Sequence, residues 1–328
     1  GQDTRDYHGP LEIVPAHHLV DAMSPCGLTF DSLPEARLDS FRERIERFAS
    51  ENGHPHGVDD WKRLSLEAWE TAKVLEPHEP ARAGAALAFA ARFAVHAGEP
   101  EGATTLLREA PTLDVDAYPE LHACRLIARA TSAIDLDDPA HAWALAAEAV
   151  AACEALGGSD RRELLGQAYG TLGRAILHAG SPAEAEGPLR KGMDHHARVC
   201  PAEAPRSGCY LATCLRRMGR LEDAAQIVDA ALEALKPERW DLHVTTKNYL
   251  HLERARIFSE SNDSAAAIGA FELVCRAQSR DSSYPRLGAL RGLASAYRLA
   301  GELARADEAL RACLAVGRAA GTPRTIAR

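Results

Sequence analysis

A recurrence constrains this chain more than any other feature. Six turn residues, Gly98, Asp137, Gly180, Gly219, Asn262 and Gly301, each separate two amphipathic runs, at spacings of 39, 43, 39, 43 and 39 residues. Four are Gly and the others Asp and Asn, the types that best tolerate the left-handed conformation ending a helix. Seven residues before each turn lie Ala91, Ala130, Gly173, Ala212, Ala255 and Ala294, and five residues after it lie Ala103, Ala142, Ala185, Ala224, Ala267 and Ala306. Both columns are small throughout. Four residues further on come Leu107, Ala146, Leu189, Val228, Phe271 and Leu310, apolar and mostly large. Two antiparallel helices joined by a short turn approach closely only where one side presents no bulk, and larger residues on the next turn fill the flanking space. The chain is therefore expected to stack as helical hairpins, each burying its face against its neighbours.

Composition agrees with an all-α reading. Hydrophobic residues make up 46% of the chain, largely Ala and Leu, and aromatics only 5%, which suits close-packed helices better than a β-sandwich. The formal charge of −9 gives the molecule no general attraction for nucleic acid or anionic membrane, and neither is expected as a partner. Eight cysteines occur without a CxxC pair, mostly at apolar helix positions where thiols behave as small hydrophobes. Neither a signal peptide nor an apolar run of about 18 residues is present, so a cytoplasmic location is expected.

Taken in order, residues 1–30 carry Pro10, Pro15 and Pro25 and read as an irregular arm or linker. Residues 31–79 read as a helical pair and candidate cap, with Leu38, Phe41, Ile45 and Phe48 on one face and Trp61, Leu64 and Trp69 on another. Residues 80–321 hold the six hairpins, and 322–328 form a tail. The first residue is Gly1 rather than Met, which points to a region upstream. No polar capping helix follows the sixth hairpin, so that end is expected to continue into another region or to self-associate.

The columns resemble the motif of the tetratricopeptide repeat family. That motif has a small residue at its eighth position, here Gly173, and a large one at its eleventh, here Ile176, Leu215, Phe258 and Tyr297. Gly follows at the fifteenth, Ala at the twentieth, and a small residue at the twenty-seventh, here Ala110, Ala149, Gly192 and Ala231. The resemblance covers roughly residues 80–321. It implies a right-handed superhelical solenoid. The spacing departs from the family's 34 residues, so longer helices or turns are expected, similar to the extended repeats of bacterial signalling proteins and kinesin light chains. Ala94 and Ala133 also stand where the family has a large residue. The alternating spacing suggests a duplicated double unit.

The resemblance implies that the first helix of each hairpin lines a concave groove through its second, fifth, ninth, twelfth and thirteenth positions. Carried onto this sequence, the ninth position holds Arg92, Thr131, Arg174, Thr213, Arg256 and Ser295. Neighbouring positions add His96, His178, Arg206, Arg216, Arg217, Arg291 and Arg298, against Asp135 and Glu260. An acidic protein would thus carry a basic inner face. Guanidinium forks pair well with carboxylates. The candidate partner-binding residues are Arg92, Arg174, His178, Arg206, Thr213, Arg216, Arg217, Arg256 and Arg298, and the partner expected is a protein or peptide with an acidic or carboxylate-ended segment. Two alternatives stay open. The arginines could pair with acids of the same chain. The module could also be the regulatory region of a larger enzyme or signalling protein, or an enzyme with a His/Arg site in the groove.

Catalytic signatures are missing: no HExxH, GxSxG, GxxxxGK[ST] or glycine-rich dinucleotide loop occurs. His-Ala-Gly at 96–98 and 178–180 reads as a cation near a helix C-terminus. His195, His196, Cys200, Cys209 and Cys214 lack the regular pairing of zinc ligands, and Cys209 and Cys214 stand about 140° apart around a helix. They read as structural groups. No catalytic residue, metal or cofactor is expected.

Overall fold

The computed structural model describes residues 100–109, 115, 119–156, 162–199, 201, 203–235, 240–276 and 283–319, together with helical positions between 65 and 94. Eleven helices have described bounds: α1 (Pro100–Glu109), α2 (Pro119–Asp135), α3 (Pro139–Ala155), α4 (Arg162–His178), α5 (Pro182–Val199), α6 (Ala204–Arg217), α7 (Leu221–Ala234), α8 (Trp240–Glu260), α9 (Ser264–Arg276), α10 (Ser283–Leu299) and α11 (Leu303–Ala319). The assignments for residues 1–30, Gly98 and the 322–328 tail, and the bounds of the 31–79 helical pair, lie outside the described residues.

The turns explain the hairpins. Asp137, Gly180, Gly219, Asn262 and Gly301 all take positive φ, between 61° and 89°. In each, the next residue donates its N–H back to the carbonyl five positions earlier: Asp138 to Ala133, Ser181 to Ile176, Arg220 to Leu215, Asp263 to Phe258 and Glu302 to Tyr297, at 2.8–3.2 Å. This 6→1 bond with a left-handed residue is the Schellman way of ending a helix. The same residue then starts the next helix, its carbonyl accepting from Ala142, Ala185, Ala224, Ala267 or Ala306. Asp138 and Asp263 also cap exposed amides with their side chains, at 3.2 Å to His141 N and 3.0 Å to Ala266 N. One short segment thus closes one helix and opens its partner.

Packing follows the small-residue columns. Ala91, Ala130, Ala212, Ala255 and Ala294 are buried, as are Ala142, Ala185, Ala224, Ala267 and Ala306. At Gly173 a Cβ would come within 2.4 Å of Leu189 Cγ, so the large residue of α5 seats where α4 has no side chain. At Gly292 a Cβ would meet the Phe271 ring at 2.3 Å, the same device between successive hairpins. The third column is buried through Leu107, Ala146, Leu189, Val228 and Phe271, but Leu310 is exposed. Ala94 and Ala133 are buried despite lacking bulk. The extra residues of each repeat lengthen helices: α8 has 21 residues, α5 has 18, and α2, α3, α4, α10 and α11 have 17 each.

Helices pack in chain order, each on the next, from α1 to α11. Across one step, α2 packs on α4, α4 on α6, α6 on α8 and α8 on α10, whereas no second helix packs comparably on the next second helix among the described residues. Elements that crowd together lie on the inside of a curve, so the first helices form the concave wall. The apolar core runs lengthwise through successive clusters, and Trp143 and Leu172 touch both the α2–α4 cluster and the α4–α8 one. This is an all-α solenoid with nearest-neighbour packing.

Candidate binding groove

The inner wall of α4, α6, α8 and α10 is built from aromatic rings, guanidinium groups and carboxylates. Arg174 of α4 lies 4.9 Å above the centre of the Tyr210 ring on α6, a cation–π contact across hairpins. Arg206, half-buried on the same face of α6, is 3.7 Å from Glu203. Thr213 donates its hydroxyl to the Cys209 carbonyl at 3.0 Å, so its proton is used within its own helix. Arg217 reaches back and donates to the Leu177 carbonyl at 3.0 Å, closing the C-terminal end of α4. His178 stands exposed in the last turn of α4, and Arg298 exposed in the last turn of α10. Arg92 lies outside the described residues.

A charge network joins α6 to α8. Glu253 of α8 is buried, and both of its oxygens are taken: Arg216 donates Nε to Oε2 at 2.9 Å, and Arg256 donates to Oε1. Arg216 also pairs with Glu260. Burial opposes the charge on Arg216, but the Glu253 and Glu260 carboxylates outweigh it and hold its guanidinium above the ordinary value. The arginines expected to form a free basic stripe are thus partly balanced from within. Arg216 and Arg256 are brought together on Glu253, Arg174 and Arg206 both engage Tyr210, and Arg217 serves a separate contact.

Between α8 and α10 a cleft of about 330 Å³ opens onto this face. Arg256, Ser259 and Glu260 line one side, Arg291 and Ser295 the other, with Phe271 as the apolar floor. Beside it, the Phe271 ring packs against Gly292 and the Leu252 and Arg256 side chains against Gly288, where α10 has no side chain. Arg216 and Arg256 are balanced by Glu253 and Glu260 within the network, and Arg291 adds a third guanidinium at the cleft.

The residues considered and set aside for metal are engaged separately. His196 is buried with Nδ1 2.7 Å from Ser207 Oγ, and burial lowers its pKa below the ordinary 6.5. His195 stacks on Tyr169 with ring centres 6.0 Å apart. Cys214 donates its thiol to the Pro182 carbonyl at 3.0 Å, and burial pushes the Cys209 thiol well up. Cys200 lies outside the described residues. Among the described residues, no three His, Cys, Asp or Glu side chains gather as a cation site.

Sequence reasoning missed Glu253 and Tyr210, and gave Phe271 a packing role only. Glu253 precedes Arg256 by three residues, a spacing at which helical side chains meet, so that pair was detectable. Its second partner, Arg216, is 37 residues away and depends on how the hairpins stagger.

Fold and groove together define the class: a helical-repeat solenoid of the tetratricopeptide type. No family model matches the sequence, and no curated protein matches it. Solved structures do. A Rap protein complexed with competence and sporulation factor superposes at a TM-score of 0.60 with 14% identity, covering 93% of this chain and 96% of that one. The Cut9–Hcn1 hetero-tetramer of the APC/C gives 0.56 at 15% identity, over 90% of this chain and 53% of that one. A signal transduction ATPase with a tetratricopeptide repeat sensor, from Pyrococcus horikoshii, gives 0.54 at 15% identity, over 96% of this chain and 48% of that one. At such identities the likeness is one of fold. No helix among the described residues is long and apolar enough to cross a membrane.

Proposed function

We propose that this chain is a non-enzymatic binding scaffold or sensor module that holds a protein or peptide segment along its concave wall. The observation that carries this reading is the cleft between α8 and α10, where Arg256 and Arg291 converge from successive hairpins over the Phe271 ring. The guanidinium forks of Arg256 and Arg291 at the cleft favour a segment bearing an acidic side chain or a free carboxylate. Two of the structural neighbours are assemblies: the Rap protein with a factor, and Cut9 with Hcn1. A hairpin stack can carry the same role here. Affinity would come from several modest contacts, so charge changes in the cleft should matter more than single truncations elsewhere.

The test is selection of a randomised peptide library on the immobilised chain, at low and high salt. Segments with Asp, Glu or a free C-terminus should be enriched, and recovery should fall as salt rises. The R256Q/R291E variant should lose that enrichment while keeping its melting temperature within a few degrees. Enrichment without charge preference, or equal recovery by the variant, would refute the acidic-segment reading. A chain that selects no peptide at all would refute the scaffold reading itself.

A further inference from the structure

Arg174 and Arg256 stand 82 residues apart, at the same place in successive copies of the double unit, and their surroundings differ. Thirteen and nine residues before its turn, α6 carries Arg206 and Tyr210, and the Arg174 guanidinium lies over the Tyr210 ring. The matching residues of α10 are Gly288 and Gly292, so the side chains that close on Arg174 have no counterpart beside Arg256. A Cβ at Gly288 would stand 3.3 Å from Arg256 Nη2 and 2.9 Å from Leu252 Cδ2, which places that edge of the guanidinium against bare α10 backbone. The other cleft residues diverge in the same sense. Ser259, Arg291 and Ser295 stand where the preceding copy has Leu177, Cys209 and Thr213; the first two of those are buried, and the Thr213 hydroxyl is bonded to its own helix.

The other side of the Arg256 head is held by a clamp that the preceding copy lacks. Glu253 and Arg216 stand where Thr171 and Ile134 stand 82 residues earlier. Glu253, whose side chain is 4% exposed, accepts from Arg256 Nη1 on Oε1 and from Arg216 Nε on Oε2. Arg216 is in turn fixed by Glu260, so the carboxylate that holds Arg256 is itself anchored from α6. We propose that Glu253 and Gly288 are positioning residues of the cleft: Glu253 clamps one nitrogen of the Arg256 fork, Gly288 makes room for the other, and the guanidinium meets an incoming carboxylate already oriented. A fork held in its bound orientation loses less freedom when it binds and keeps its bidentate geometry. The inference rests on the cleft being the site for an acidic segment.

The test titrates a fluorescent acidic peptide, taken from the library selection, against the wild-type chain, G288A and E253Q. G288A should bind about fivefold more weakly, the cost of ordering one long side chain. Its urea midpoint should not fall, because the Leu252 methyl can turn aside and Ala is the better helix former. E253Q should also bind more weakly, although it removes a negative charge beside the cleft; Coulomb attraction alone predicts tighter binding. In the free chain, nitrogen-15 spectra should show restricted rotation of the Arg256 guanidinium, and faster rotation in E253Q. Tighter binding by E253Q, or wild-type affinity in G288A, would overturn the proposal. Equal rotation with and without the Glu253 charge would overturn the clamp whatever the ligand. A wild-type chain that selects peptides with no acidic preference would overturn the acidic-segment reading, and this proposal with it.

Discussion

Gly192 of α5 touches α4 backbone to backbone, and its replacement by Ala has a calculable cost. The added Cβ would lie 2.9 Å from Gly170 N, 3.0 Å from Gly166 O and 3.3 Å from Gly170 Cα. All three are main-chain atoms of a helix, so no rotamer change relieves the clash; α4 and α5 must part by a few tenths of an ångström. Overpacking of this kind costs roughly 1–3 kcal/mol, and a rigid obstruction belongs in the upper half of that range. Ala returns about 1 kcal/mol of helix propensity, so G192A should lose about 1–2 kcal/mol net. Gly170 supplies the control from the facing helix. Its own Cβ would meet nothing within 4 Å, so G170A should gain about 0.5–1 kcal/mol. The two variants should therefore differ by about 2–3 kcal/mol for the same chemical change. Urea unfolding followed by circular dichroism measures this, with amide exchange in α4 and α5 to detect piecewise opening of the stack. G192A as stable as G170A would refute the close-contact argument.

Two further perturbations separate buried from exposed charge and test a buried histidine. Replacing Glu253 by Ala takes a carboxylate from two guanidinium groups, one of them only 11% exposed and left with Glu260 alone, and should cost about 3 kcal/mol in urea denaturation; E260A, at a half-exposed carboxylate, should cost under about 1 kcal/mol. Equal effects would mean that the network is not organised around Glu253. For His196, burial lowers the folded-state pKa, opposed by Glu203 and reinforced by Arg206 and His195, so the native ring is neutral. The unfolded chain takes up a proton near 6.5 that the folded chain refuses, so stability held above pH 6.5 is lost as pH falls below it. Urea midpoints from pH 7.5 to 5 should fall less steeply in H196N, with His251, also lowered by burial, supplying a residual slope. An identical slope would remove His196 from the account.

The hairpins were legible because their determinants are local. A left-handed turn residue and a small residue at fixed offsets suffice, which is why Asp137 and Asn262 were found beside three glycines. Carrying offsets onto α4, α6 and α8 named Arg174, Arg216 and Arg256, and the structure gives Arg174 a ring contact and joins the other two through Glu253. What escaped was the charge on that wall once neighbours are counted. Glu253 sits at an offset not associated with the groove, and its bond to Arg216 depends on the stagger between hairpins, a quantity set by every packed side chain between them. Leu310 matches its column in type but is half-exposed, whereas Leu107, Leu189, Val228 and Phe271 are buried.

The main-chain contact of Gly192 with Gly166 and Gly170 bears on how the molecule deforms. Side chains between helices act as compliant spacers, able to swap rotamers and let one element slide over another. Where backbones meet there is no such cushion. The α4–α5 hairpin is thus the stiff coil of a spring whose other coils are lined with Leu, Val and Phe. Bending or stretching of the stack would concentrate in the hairpins on either side, where the pitch around α8 and α10 can adjust while the centre stays fixed.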